Sequence, residues 1–386
     1  MPSPIPAGTM VQLHSLSTDE LNGRVGECGA LNAKKGRYSV ALLGDGRTCG
    51  VRPANLCRPR TPSPDSARRS EKLADEGIAV LSAIRGGGGA DPMAFIALNK
   101  TLTEAVELDP CCARAHQALG DACVFRDHAG TNKALNAAAI KHFRRAAENG
   151  GGHGARFALS GCLGRSGDLQ GELAELRAIL QVDPDNVMCA CSLGRLHQYQ
   201  ERHEEALGEL LRVLSSPEVP KGSQLGRISG QLAVTSAAAL SREANAIAGD
   251  AGGGFVGPGM AFVPARGERA LQLHEIALHT YKVALPHLLG SGPEICYANH
   301  ASTLMDLGRC EDSAHAARQA LQCHGSPGSL RSFAQHTIGR SSEAQGDEAR
   351  VHGKTDDAVR HFESAKVAYK AVRLRHQLAV EYAVSV

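Results

Sequence analysis

Five places in this chain carry residue types that do chemistry elsewhere, and spacing or flanking sequence decides against each. His274-Glu275 followed by His279 imitates a zinc-protease helix, in which two histidines one turn apart share a metal and the glutamate acts as base. Here the spacing is five rather than four, which swings the second imidazole about 100° round the helix, away from the first. Gly252, Gly254 and Gly257 match a dinucleotide fingerprint, but helical sequence precedes them and Pro258-Gly259 follows, where a strand and then a helix N-terminus are required. Gly353-Lys354-Thr355 resembles the end of a phosphate-binding loop, yet Glu348 stands where its first glycine belongs. It reads as the turn before a helix. Cys111-Cys112 and Cys189-x-Cys191 have no second ligand pair at zinc-finger spacing, and there is no Gly-x-Ser-x-Gly elbow. The expectation is a non-enzymatic protein with no catalytic residues, no metal and no cofactor.

The elements around these places are of two kinds. Residues 8–58 carry short alternating runs at 10–13, 24–27, 38–42 and 48–51, separated by Asn22-Gly23, Lys35-Gly36 and Gly44-Asp45-Gly46. Asn-Gly and Asp-Gly accept positive φ and mark hairpins, so several short strands in so few residues predict a small barrel. Residues 59–70, with Pro59, Pro62 and Pro64, read as an extended linker.

From residue 71 to 386 the pattern is helical and repetitive. Leu159-Ser160 and Leu193-Gly194 lie 34 residues apart. Small or apolar triplets at i, i+4, i+7 recur as Leu98/Leu102/Ala105, Ala139/Phe143/Ala146, Ala206/Leu210/Val213, Ser313/Ala317/Ala320 and Ala358/Phe362/Ala365, each making one face of a helix. Asp109-Pro110 and Asp183-Pro184 end two of these helices. Between Leu119-Gly120 and Ala139 there are seven more residues than between Leu193-Gly194 and Ala206, so the turn near 128–134 is enlarged. Glu172 occupies a place where a small residue is normal. A Gly-rich insertion at 249–266 interrupts another hairpin; its Phe255, Met260 and Phe262 are too apolar for an ordinary linker and are candidates for contact with the helices or a partner.

Leu193-Gly194, Ala206, Leu210 and Val213, with the turn at 200–203, resemble a tetratricopeptide repeat. The resemblance covers about four fifths of the chain and implies six or seven helical hairpins stacked as an α-solenoid. The N-terminal segment, through Leu21-Asn22-Gly23-Arg24-Val25-Gly26 and Val51-Arg52-Pro53-Ala54-Asn55-Leu56, resembles small SH3-like barrels. In the repeat family the first helix of each hairpin lines a groove that grips peptides. That implies a partner-binding set of Arg114, Gln117, Asp121, Arg165, Arg195, Gln198, Tyr199 and Asn299. Arginines bind carboxylates through a bidentate fork, so Arg114, Arg165 and Arg195 point to an acidic partner. The Lys-x-x-Gly-Asn pattern of the family's chaperone-tail clamp is absent.

Charge and composition bound the rest. Residues 1–70 hold 10 Lys/Arg against 5 Asp/Glu, and the remaining chain 32 against 35. The basic opening segment (Arg24, Lys34, Lys35, Arg37, Arg47, Arg52, Arg58) admits an alternative, an RNA-associated accessory factor, although Tyr38 is its single aromatic residue. No apolar run is long enough to span a bilayer and the first residues lack the profile of a secretory signal, so a cytoplasmic location is expected. The twelve cysteines, several on helical faces, are read as reduced thiols filling small apolar positions.

Overall fold

A computed structural model describes residues 5–22, 24–42, 47–57, 62–86, 92–127, 130–250, 267–289, 292–323 and 328–385. The turn residues Gly23 and 43–46, and the insertion residues Phe255, Met260 and Phe262, lie outside the described residues. Two compact units divide the chain, Met1–Val182 and Asp183–Val386.

The first unit opens with five antiparallel strands, β1 (Met10–Leu13), β2 (Val25–Asn32), β3 (Arg37–Leu42), β4 (Thr48–Val51) and β5 (Leu56–Cys57), in the order β4-β3-β2-β1-β5. Alternation puts Val11, Leu13, Cys28, Tyr38, Val40, Leu42, Val51 and Leu56 into one apolar cluster. The β2–β3 turn uses Gly36 at φ +57°, in the left-handed region that glycine enters without strain. Tyr38, buried, accepts a hydrogen bond on its phenol oxygen from the Ile5 amide at 2.9 Å.

Six helices follow in this unit: α1 (Pro64–Gly86), α2 (Pro92–Leu108), α3 (Ala113–Arg126), α4 (Lys133–Glu148), α5 (Gly152–Ser166) and α6 (Leu169–Val182). Eight make up the second: α7 (Val187–Tyr199), α8 (His203–Ser215), α9 (Gln224–Asp250), α10 (Glu268–Leu288), α11 (Pro293–Asp306), α12 (Cys310–Gln322), α13 (Gly328–Val351) and α14 (Thr355–Ser385). Each odd-numbered helix packs against the even-numbered one after it, giving seven hairpins among the described residues.

The triplets read from the sequence are what these hairpins bury. Leu98, Leu102, Ala105, Ala139, Phe143, Ala146, Ala206, Leu210, Val213, Ser313, Ala317, Ala320, Ala358 and Ala365 are all buried, and Phe362 is half-buried. The first helix makes room with a glycine: a methyl group on Gly194 would stand 2.7 Å from Leu210 Cγ, and one on Gly346 2.8 Å from the Phe362 ring. Glu172, the misfit in its triplet, is buried with its carboxyl group against Gly164, where the missing side chain leaves space.

Three boundaries differ from the sequence reading. The extended linker expected over 59–70 gives way to helix at Pro64. Ser63 Oγ accepts the Ser66 amide at 3.1 Å, and Pro64 takes the first helical position, where its missing N–H costs nothing. Helix α9 runs to Asp250, past the expected start of the insertion at 249. The enlarged turn is shortened by Asn132, whose Oδ1 caps the amides of Ala134 and Leu135 at 3.1 Å and starts α4 at Lys133.

The sheet is also seated on the helices, not merely joined to them. Val25 and Met10 enter the apolar cluster of α1, α2 and α3. Arg24 pairs with Glu107 at 3.4 Å, Lys141 with Glu27 at 2.9 Å, and the Arg145 guanidinium donates to the Gly8 carbonyl.

Candidate partner-binding face

In the first unit the candidate residues sit on α3 and α5, and the neighbouring helices take up much of their charge. Arg114 pairs with Asp75 of α1. Asp121 pairs with Arg85 of α1 at 3.7 Å; burial raises its carboxyl pKa, and the guanidinium opposes that rise. Arg85 in turn lies 5.8 Å from the centre of the Phe125 ring. Arg165 donates from Nε to Asn136 Oδ1 at 3.3 Å and from Nη2 to Cys162 Sγ at 3.0 Å, while Asn136 donates to the Cys162 carbonyl at 3.0 Å. Gln117 points toward the open backbone of Gly154 on α5. Three of these side chains therefore tie hairpin to hairpin.

The second unit distributes its candidates differently. On α7, Gln198 donates to the Leu232 carbonyl of α9 at 3.3 Å, and Arg195 is exposed one turn from buried Cys191. Burial raises the Cys191 thiol pKa, against a hydrogen bond from Ser229 and the charge of Arg195. Tyr199, the last residue of α7, is 75% exposed. Asn299 is half-buried on α11.

One feature of this unit was not read from the sequence. The first helices α7, α9, α11 and α13 pack in succession, and each exposes one large apolar residue in its N-terminal half: Met188 (49%), Ile228 (43%), Ile295 (49%) and Phe333 (41%). Alternate helices in a stack of antiparallel hairpins run parallel, so these residues recur at one end of successive helices. The available signal was an apolar residue off the buried stripe of each first helix.

The histidines of the α10 pair differ in burial. His274 is fully buried while His279 is exposed, and His274 meets no hydrogen-bond partner among the described residues; burial lowers its pKa. Gly353, at φ +72°, forms the turn between α13 and α14. Among the described residues no three His, Cys, Asp or Glu side chains converge as metal ligands. Cys28, Cys112, Cys162, Cys189, Cys191 and Cys296 are buried, and burial pushes Cys296 up to about 12. Among the described residues no helix is long and apolar enough to cross a membrane.

No family model matches the sequence, and no curated protein matches it. Among solved structures, a tetratricopeptide repeat protein from Parabacteroides merdae is 10% identical, with 80% of this chain and 99% of that one covered and a TM-score of 0.38. The crystal structure of MamA is 13% identical over 56% of this chain and 92% of that one, TM-score 0.33. YrrB, described as a TPR protein with an unusual peptide-binding site, is 16% identical over 54% and 96%, TM-score 0.32. At these scores the assignment rests on the hairpin packing itself. The chain is a set of tetratricopeptide-like helical hairpins preceded by a small five-stranded antiparallel sheet.

Proposed function

We propose that this protein is a non-enzymatic scaffold or adaptor that holds a peptide or helical segment of a partner on the first-helix face of its repeats. The observation that carries the reading is the α7–α13 face of the second unit. There a highly exposed tyrosine, an exposed arginine and four exposed apolar side chains stand on successive helices. Exposed apolar groups rimmed by polar ones mark interaction surfaces, and Tyr and Arg are the residue types that concentrate binding energy at such surfaces. In this reading Arg195, Gln198, Tyr199 and Asn299 supply polar contacts. In the first unit Arg114, Asp121 and Arg165 contribute chiefly by holding hairpins in register, and Gln117 supplies a further polar contact. The sheet, read as an SH3-like barrel, serves as a second binding module, and the protein works in the cytoplasm.

The RNA-associated alternative has less behind it. Arg24 is paired with Glu107, Arg37 donates to the Gly50 carbonyl at 3.2 Å, and the segment's one aromatic ring, Tyr38, is buried and cannot stack on a base.

Selection of peptides from a random display library on the full chain tests the proposal, followed by affinity measurements on Arg195→Ala and Tyr199→Ala. The proposal expects both substitutions to weaken the selected peptides about tenfold, the loss typical of an interface anchor, with helicity retained. Undiminished affinity in both variants would refute it.

A further inference from the structure

A second candidate site lies in the first unit, independent of the face just described. Between the approach to β1 and helix α4 there is a cleft of about 650 Å³. Its apolar lining comes from Ala7 and Met10 on the sheet side and from Ala137 and Ile140 on α4. Along the same helix, Lys141, Arg144 and Arg145 reach the cleft, and two carboxylates, Glu27 and Glu148, complete its charge.

The ion pairs leave one cation over. Lys141 is taken by Glu27 at 2.9 Å. Arg145 is taken by Glu148 at 3.2 Å and by the Gly8 carbonyl. Arg144 is exposed and has no carboxylate partner among the described residues. With three cations against two carboxylates, the cleft holds a net charge of +1 beside an apolar lining. Residues 137, 140, 141, 144 and 148 share one face of α4, as spacings of three and four require. That face is thus both greasy and positive where it meets the sheet.

We propose that this cleft binds an acidic peptide segment. One carboxylate sits on the Arg144 guanidinium, and adjacent apolar side chains lie against Met10, Ala137 and Ile140. A single carboxylate balances the single surplus charge. A phosphate dianion would overshoot it and meet repulsion from Glu27 and Glu148. The planar guanidinium suits a carboxylate in two-point contact.

The test is fluorescence anisotropy on the full chain with a short labelled peptide carrying one glutamate between leucines, compared with its glutamine counterpart. Saturable binding of the glutamate peptide is expected. Arg144→Gln should weaken it about tenfold, as loss of one charge-assisted hydrogen bond implies, and Arg144→Glu should weaken it further. Arg195→Ala should leave it unchanged, which separates this cleft from the α7 face. Equal affinity for the glutamine peptide, no response to Arg144→Glu, or loss of binding in Arg195→Ala would each overturn the proposal. So would tighter, Arg144-dependent binding of a phosphoserine version or of a single-stranded RNA oligonucleotide.

Discussion

The ring of Phe143 lies directly over Gly120: a methyl group added to that glycine would stand 2.6 Å from Phe143 Cε1. Gly120 sits on α3 and Phe143 on α4, so the pair sets how closely the two helices of this hairpin approach. Gly120→Ala should therefore destabilise the fold even though alanine is the better helix former. Overpacking costs about 1–3 kcal/mol, and the helix gain returns about 1 kcal/mol. A lower urea midpoint for Gly120→Ala is the expected outcome. A midpoint at or above the parent's would mean the hairpin has slack at this contact.

Asn136 offers a test of how adjacent hairpins are tied. Buried on α4, it donates to the Cys162 carbonyl and accepts from Arg165, both on α5. Asn136→Ala should cost about 1–3 kcal/mol by removing these bonds within a buried site. Arg165→Ala should cost less, because that side chain is exposed. Equal losses in urea unfolding would show that the guanidinium, not the amide, holds the contact.

Acid should weaken the first unit through a histidine pair. His116 and His142 face each other at 3.2 Å between Nδ1 atoms, and His116 Nε2 bonds the Pro110 carbonyl at 3.1 Å. Burial is the main cause lowering His116 to about 4 and His142 to about 3; at His116 the Pro110 bond and Asp109 oppose it while Arg145 and Lys141 add to it, and at His142 the neighbouring His116 and Lys141 add to it. Both rings stay neutral in the fold over a range where the unfolded chain protonates them. The unfolded state then binds more protons, and stability falls as pH drops from 6.5 toward about 3. His116→Gln, which keeps a donor and an acceptor, should flatten the loss of thermal midpoint across that window. An unchanged slope would assign the acid sensitivity elsewhere.

Much of the helical architecture was written in the sequence because it depends on local periodicity. The triplet Ala206, Leu210 and Val213 had to share a helix face, and such a face has to be buried. Asp183-Pro184 had to stop a helix. The start of α1 was legible too, in Ser63-Pro64, but three prolines in a short span read more loudly as linker than as cap. What periodicity does not hold is the partner of a charge. That Arg114 meets Asp75, or that Lys141 meets Glu27, depends on how elements distant in the chain pack. Arg114 and Arg165 of the first unit accordingly meet partners on neighbouring hairpins, and the seating of the sheet on α4 left no trace in any local pattern.

Photo-crosslinking tests the binding-face reading most directly. With p-benzoylphenylalanine replacing Tyr199 on α7 or, as a control, Arg318 on the exposed side of α12, a peptide selected on the full chain is irradiated in complex with each variant. The expected result is a covalent adduct at position 199 and none at 318. Adducts at 318 alone, or equally at both positions, would contradict a partner held on the first-helix face.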